Sequence, residues 1–113
     1  MCINGHHHRD FIRVHDNVIY FDMNSASYDW VSTPHTLFPE ELMKKYSALK
    51  NTVTFDGPPL HAIVTIEGNT VDIKGMETSM FMGVTREMTG NPRFDGAGRE
   101  VTPTVQTAKI TLG

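Results

Sequence analysis

Two runs of this chain, "FIRVHDNVIYF" and "LHAIVTIEGNTVDIKG", set most of what it can fold into. Each contains β-branched residues around a pair suited to a tight turn, Asp16-Asn17 in the first and Gly68-Asn69 in the second. Asp, Asn and Gly tolerate the left-handed backbone conformations of two-residue hairpin loops, so both runs are expected to be antiparallel hairpins. In the second run Leu60, Ala62, Val64 and Ile66 recur at every other position, the period that puts side chains on one face of a strand. A further strand is expected in "VTPTVQTAKITL", where Ala108, Ile110 and Leu112 alternate with Lys109 and Thr111. Pro103 confines its beginning to an edge or a bend.

Between the hairpins, "PEELMKKYSALK" is the convincing helix. Pro39 suits a first turn, where its missing N–H is harmless, and Glu40 and Glu41 favour the positive end of the helix dipole. Leu42, Tyr46 and Leu49 share a face at helical spacing, and Asn51 offers a stop. "METSMFMG" is expected to add a strand, with Met80 and Met82 alternating about Phe81 and the methionines filling irregular core space. "TGNPRFDGAG", from Thr89 to Gly98, has the composition of a loop. The expected fold class is mainly β with one helix (α+β), two antiparallel hairpins plus a C-terminal strand. A single domain spans residues 1–113, a length that buries a modest core.

Composition removes several function classes. The net charge is −3 with Lys and Arg scattered along the chain, which gives no basic stripe for nucleic acid. No apolar run approaches the roughly 20 residues of a membrane-spanning helix. Polar and charged residues within the first ten positions argue against a signal peptide. Cys2 is the only cysteine, so an internal disulfide and a thiolate cage for zinc are both excluded.

The chemistry-bearing feature is "CINGHHHRDF", three adjacent histidines after Gly5. A purification tag would be longer and would sit beside a linker, so the run is read as native. If the segment is extended, His6 and His8 point to one side and His7 to the other, and Gly5 lets the backbone bend close to a bound ion. Two imidazoles so placed can reach one metal ion or two neighbouring ones, but structural zinc takes four protein ligands and catalytic zinc usually three.

"CINGHHHRD", followed by "VIYFDMNSASYDW", resembles the final conserved block of calcineurin-like metallophosphoesterases. That family ends its metal-binding set with Gly-His-x-His on a loop after a strand, and a hairpin follows. Gly5, His6 and His8 match the motif and His7 fills its variable place. The resemblance covers roughly residues 1 to 31 and implies that His6 and His8 ligate different ions of a dinuclear divalent-metal centre. It further implies the C-terminal half of the family's β-sandwich and a phosphate-ester substrate. In the complete enzyme the two ions would polarise the phosphoryl oxygens and supply a bound hydroxide for in-line attack.

The family's other motifs, Asp-x-His, Gly-Asp-x-x-Asp and Gly-Asn-His followed by an acid, do not occur in this chain. Gly68-Asn69 precedes Thr70 and Gly90-Asn91 precedes Pro92, while His15, His35 and His61 sit in no matching context. The expectation is therefore the C-terminal part of a phosphoesterase, inactive alone. A truncated reading frame, a dissected piece and half of a split protein all remain open as its origin. Its partner is either a missing N-terminal half or a second copy in a homo-oligomer. The alternative is a small β-rich binding or interaction module whose histidines are incidental.

The remaining residues have plainer readings. Trp30, the only tryptophan, is read first as a packing residue and second as the wall of a substrate cleft beside the histidines. Arg9 and Asp10 are expected to form a solvated pair, Asn24 and Ser25 to shape a turn, and His35 to neighbour the helix cap.

Overall fold

A computed structural model describes residues 1–30, 37–85, 88 and 102–113 of the chain. Both expected hairpins are present. Strands β2 (Phe11–His15) and β3 (Val18–Asp22) pair antiparallel, with His15 opposite Val18. Their loop has positive φ at Asp16 (48°) and at Asn17 (61°), the pattern of a type I′ turn, whose twist matches that of the strands. In the second hairpin β6 (Ile63–Glu67) pairs with β7 (Thr70–Lys74), and the positive φ, 59°, falls on Gly68 alone. The C-terminal strand, which we label β10 (Ala108–Thr111), joins the other side of β7 to give the order β10-β7-β6. Among the described residues the chain is thus mainly β with one α-helix, as its sequence implies.

Among the described residues five short strands complete the fold, of which Cys2–Asn4, Tyr28–Trp30 and Thr52–Thr54 were not expected. Cys2–Asn4 forms a strand, β1, that runs parallel to β3, so the first sheet has the order β1-β3-β2. Tyr28–Trp30 (β4) and Thr52–Thr54 (β5) form a two-stranded ribbon, and Met76–Glu77 (β8) pairs with Thr104–Val105 (β9). Gly75, just before β8, lies so close to the next segment that a Cβ there would collide with the Val105 and Gln106 carbonyl oxygens.

Other expectations are corrected. The helix α1 covers only Glu40–Lys45; the chain breaks at Tyr46 (φ −124°, ψ 85°) and resumes as a 3₁₀ turn over Ser47–Lys50. Pro39 is the N-cap rather than part of the first turn, and Lys44 pairs with Glu40 at 3.0 Å. The break matters because Met43 and Leu49 are both buried. On one continuous helix they would lie about 120° apart, on different faces. Tyr46, expected inside with Leu42 and Leu49, is exposed. Likewise "METSMFMG" does not continue as a strand: Met80 is buried and bridges Phe55, then a 3₁₀ turn over Phe81–Gly83 turns Met82 outward at φ 56°. Ile66 shares the inward face of β6 with Val64, yet it stands 63 % exposed. The expected loop from Thr89 to Gly98 and the cap neighbour His35 lie outside the described residues.

One apolar cluster joins these pieces. Ile19 and Phe21 of β3, Val53 of β5, Val71 and Ile73 of β7 and Val105 of β9 are each at most 4 % exposed within it. Among the described residues no helix is long and apolar enough to cross a membrane.

Candidate functional site

The histidine loop leaves β1 and enters β2, and side chains hold it at both ends. At its start Asn4 donates to the Asp22 carboxylate at 3.1 Å, and the Asn4 carbonyl accepts from Met23 N–H at 2.9 Å. At its end the Asp10 carboxylate accepts from the Thr104 hydroxyl (2.6 Å) and from Gln106 N–H (2.8 Å). Asp10 is therefore a structural anchor to the C-terminal segment and not half of a solvated pair. The Arg9 guanidinium lies over the Phe11 ring, 5.1 Å from its centroid.

Between these anchors the backbone is bent rather than extended. His7 N–H donates to the Gly5 carbonyl at 2.9 Å around His6, whose φ is 72°, which makes a γ-turn of the strained hand. His8 is also left-handed, with φ 52°. The bend thus falls on His6 and not on Gly5, and the two-residue alternation expected for the three imidazoles does not apply. The His6 ring packs edge-on against His7 with centroids 5.6 Å apart. His8 turns elsewhere. Its ring lies 4.8 Å from Tyr28, edge to face, and 5.4 Å from Trp30.

Ribbon geometry explains that meeting. Register pairs Tyr28 with Thr54, Asp29 with Val53 and Trp30 with Thr52. Asp29 (3 % exposed) and Val53 (0 %) point into the core, so Tyr28 and Trp30 share the opposite face with the two threonines. Trp30, expected as a partly buried packing residue, is 42 % exposed and packs against His8 and Tyr28. The Tyr28 and Trp30 rings meet at 5.3 Å and 79°.

Alongside these rings runs a groove in two adjoining parts. The first, about 320 Å³, is lined by Ser27, Tyr28, Trp30, Ala48, Thr52 and Thr54. The second, about 310 Å³, shares Ala48, Thr52 and Thr54 and continues to Tyr46, Leu49 and Phe81. Among the described residues no Asp, Glu, Lys or Arg lines either part. The helix break creates one wall, since it leaves Tyr46 outside and brings Ala48 over β5.

His6 and His8, the two residues expected to bind metal, thus sit on one strained loop, with His8 beside the aromatic end of the groove. Among the described residues no group of three or more His, Cys, Asp or Glu side chains is placed to hold an ion. These two donors do not complete a mononuclear or a dinuclear centre by themselves. His61 and His15 lie apart in exposed positions: the His61 Nδ1 contacts the Pro59 carbonyl, and the His15 imidazole sits 3.3 Å from Asp16.

Tyr28, Thr54 and Ala48 escaped the sequence reading. One signal was available: Tyr28 and Trp30 are two apart in "SYDW", a spacing that puts both rings on one face if the segment is a strand. No protein-family model, curated protein or solved structure matches this chain.

Proposed function

We propose that this chain is the C-terminal part of a metal-dependent phosphoesterase of the calcineurin-like kind, contributing His6 and His8 as ligands to divalent ions. Further ligands come from another polypeptide segment or a second copy. The observation that supports this reading most is the local order of elements: strand β1, a Gly-His-x-His loop, then the β2–β3 hairpin. Backbone strain adds to it. Among the described residues five non-glycine positions have positive φ, and His6 and His8 are two of them. Such conformations cost of order 1–3 kcal/mol each and gather at functional sites. The groove beside His8 gives the ester's organic group a place to lie.

Zinc titration followed by the histidine ring resonances of the full chain tests the ligand assignment. His6 and His8 should shift together, while His15 and His61 stay in place. Equal shifts at all four, or none, would sink it. The β-rich interaction module remains a second reading, favoured by the exposure of Ile63 (61 %) and Ile66 (63 %) on the outer strand β6. That reading requires no metal affinity, so the same titration separates the two.

A further inference from the structure

We infer that the groove beside His8 is a binding site for a planar, uncharged aromatic ring carried on a phosphate ester, seated against Trp30 and Tyr28. The phosphate part rests on the function proposed above; the ring part does not.

The walls carry the argument. Tyr28 and Trp30 face away from the core by strand register, and their rings meet nearly at right angles, so they form a corner rather than a stack. A flat ligand ring laid on one of them meets the edge of the other, an arrangement that aromatic quadrupoles favour. Each part of the groove, about 320 and 310 Å³, lies at the lower end of the roughly 300–1,000 Å³ of small-molecule sites.

The polar groups narrow the ligand further. Among the described residues the Thr54 hydroxyl, the Tyr28 hydroxyl and the Trp30 indole N–H make no hydrogen bond, whereas the Thr52 hydroxyl donates to the Ala48 carbonyl at 2.8 Å. An alkyl chain would cover these groups without pairing them, at a desolvation cost. A ring bearing nitrogen or oxygen atoms pairs them. The described lining, apolar and hydroxyl-bearing without a charged side chain, suits an uncharged ring. The charged phosphate would point out of the groove at its His8 end.

Because Trp30 is the only tryptophan, its emission reports on the site directly. The full chain is titrated with adenosine 5′-monophosphate, phenyl phosphate and ribose 5-phosphate. Saturable quenching by the first two and none by the third is expected. Calorimetry on variants then separates ring sources: Trp30→Ala should weaken both aromatic phosphates about tenfold, in line with base-stacking losses, while Trp30→Phe keeps most of the affinity. Thr54→Val should weaken only the adenine ligand, because phenyl has no heteroatom to pair. Ribose 5-phosphate binding as well as the aromatic ligands would overturn the inference. So would unchanged affinity in a Trp30→Ala chain whose circular dichroism is native, or Trp30 emission that moves with protein concentration alone, which would mark the groove as a self-association surface. Adenosine binding as tightly as its monophosphate in zinc-loaded chain overturns the phosphate part. Ring binding without zinc affinity at His6 and His8 supports the ring site while removing the phosphoesterase.

Discussion

The side-chain amide of Asn24 donates to the Thr102 carbonyl at 2.7 Å, joining positions 78 residues apart. The same nitrogen reaches the Thr104 carbonyl at 3.3 Å, and its oxygen accepts from Ser25 N–H at 2.7 Å. Asn24 is 4 % exposed, so its loss leaves buried backbone groups without partners. Asn24→Ala should therefore cost about 2 kcal/mol of unfolding free energy in urea titration. Asn24→Asp should cost more, because it turns a carboxylate oxygen toward carbonyls. Equal stability of both variants with the parent would contradict this role.

Gly75 provides a second check on the same seam. A methyl group there would occupy the space of the Val105 and Gln106 carbonyl oxygens, which are backbone atoms with little room to yield. Gly75→Ala should lose about 2–3 kcal/mol, the upper part of the roughly 1–3 kcal/mol range of overpacked sites. Gly5→Ala serves as the control, since a Cβ at Gly5 meets nothing within 4 Å. Similar losses in the two variants would count against the packing argument.

The hairpins were legible because their turns carry chemistry: Asp16, Asn17 and Gly68 hold the left-handed φ that each loop requires. Three-residue strands leave no such trace. "CIN" and "TVT" are too short for periodicity, and their partners β3 and β4 lie in distant or unrelated stretches of sequence. The helix failed for another reason: Leu42, Tyr46 and Leu49 fit one face, but burial of both Met43 and Leu49 broke the helix at Tyr46. At the site, the histidine spacing was visible, while the contact of His8 with Tyr28 and Trp30 depends on a strand pairing that the spacing does not encode.

Metal affinity should be weak in the isolated chain. His6 and His8 are two neutral imidazole donors, about half of a tetrahedral shell, and water would fill the remaining positions. Calorimetric zinc titration should give a dissociation constant above micromolar, lost in the His6→Ala/His8→Ala double variant. Submicromolar binding by a proven monomer would mean that further ligands converge on the loop.

The isolated chain should also hydrolyse no simple phosphate ester at a measurable rate, with or without added divalent metal. The motivation lies in the sequence, which lacks the Gly-Asn-His and the carboxylate motifs that would bridge two ions. Metal-dependent release of nitrophenol from a chromogenic phosphomonoester, abolished in His6→Ala and His8→Ala, would contradict it.

Self-association should run through β6. Among the described residues β6 is the outer strand of its sheet, and its segment "IVTIE" contains neither the proline nor the lysine that commonly blunts such edges. Ile66 lies on the face it shares with Val71 and Ile110, and Ile63 lies on the other, yet both are more than 60 % exposed. If two copies pair antiparallel about Thr65, Val64 of each meets Ile66 of the other, and the apolar rows of both sheets become continuous. A lysine at position 66 would put a charge into that seam while leaving the backbone of the hairpin intact. Light scattering should therefore show a dimer or larger assembly for the parent and a monomer for Ile66→Lys. A clean monomer across a wide concentration range, or an assembly unchanged by Ile66→Lys, would remove β6 as the contact.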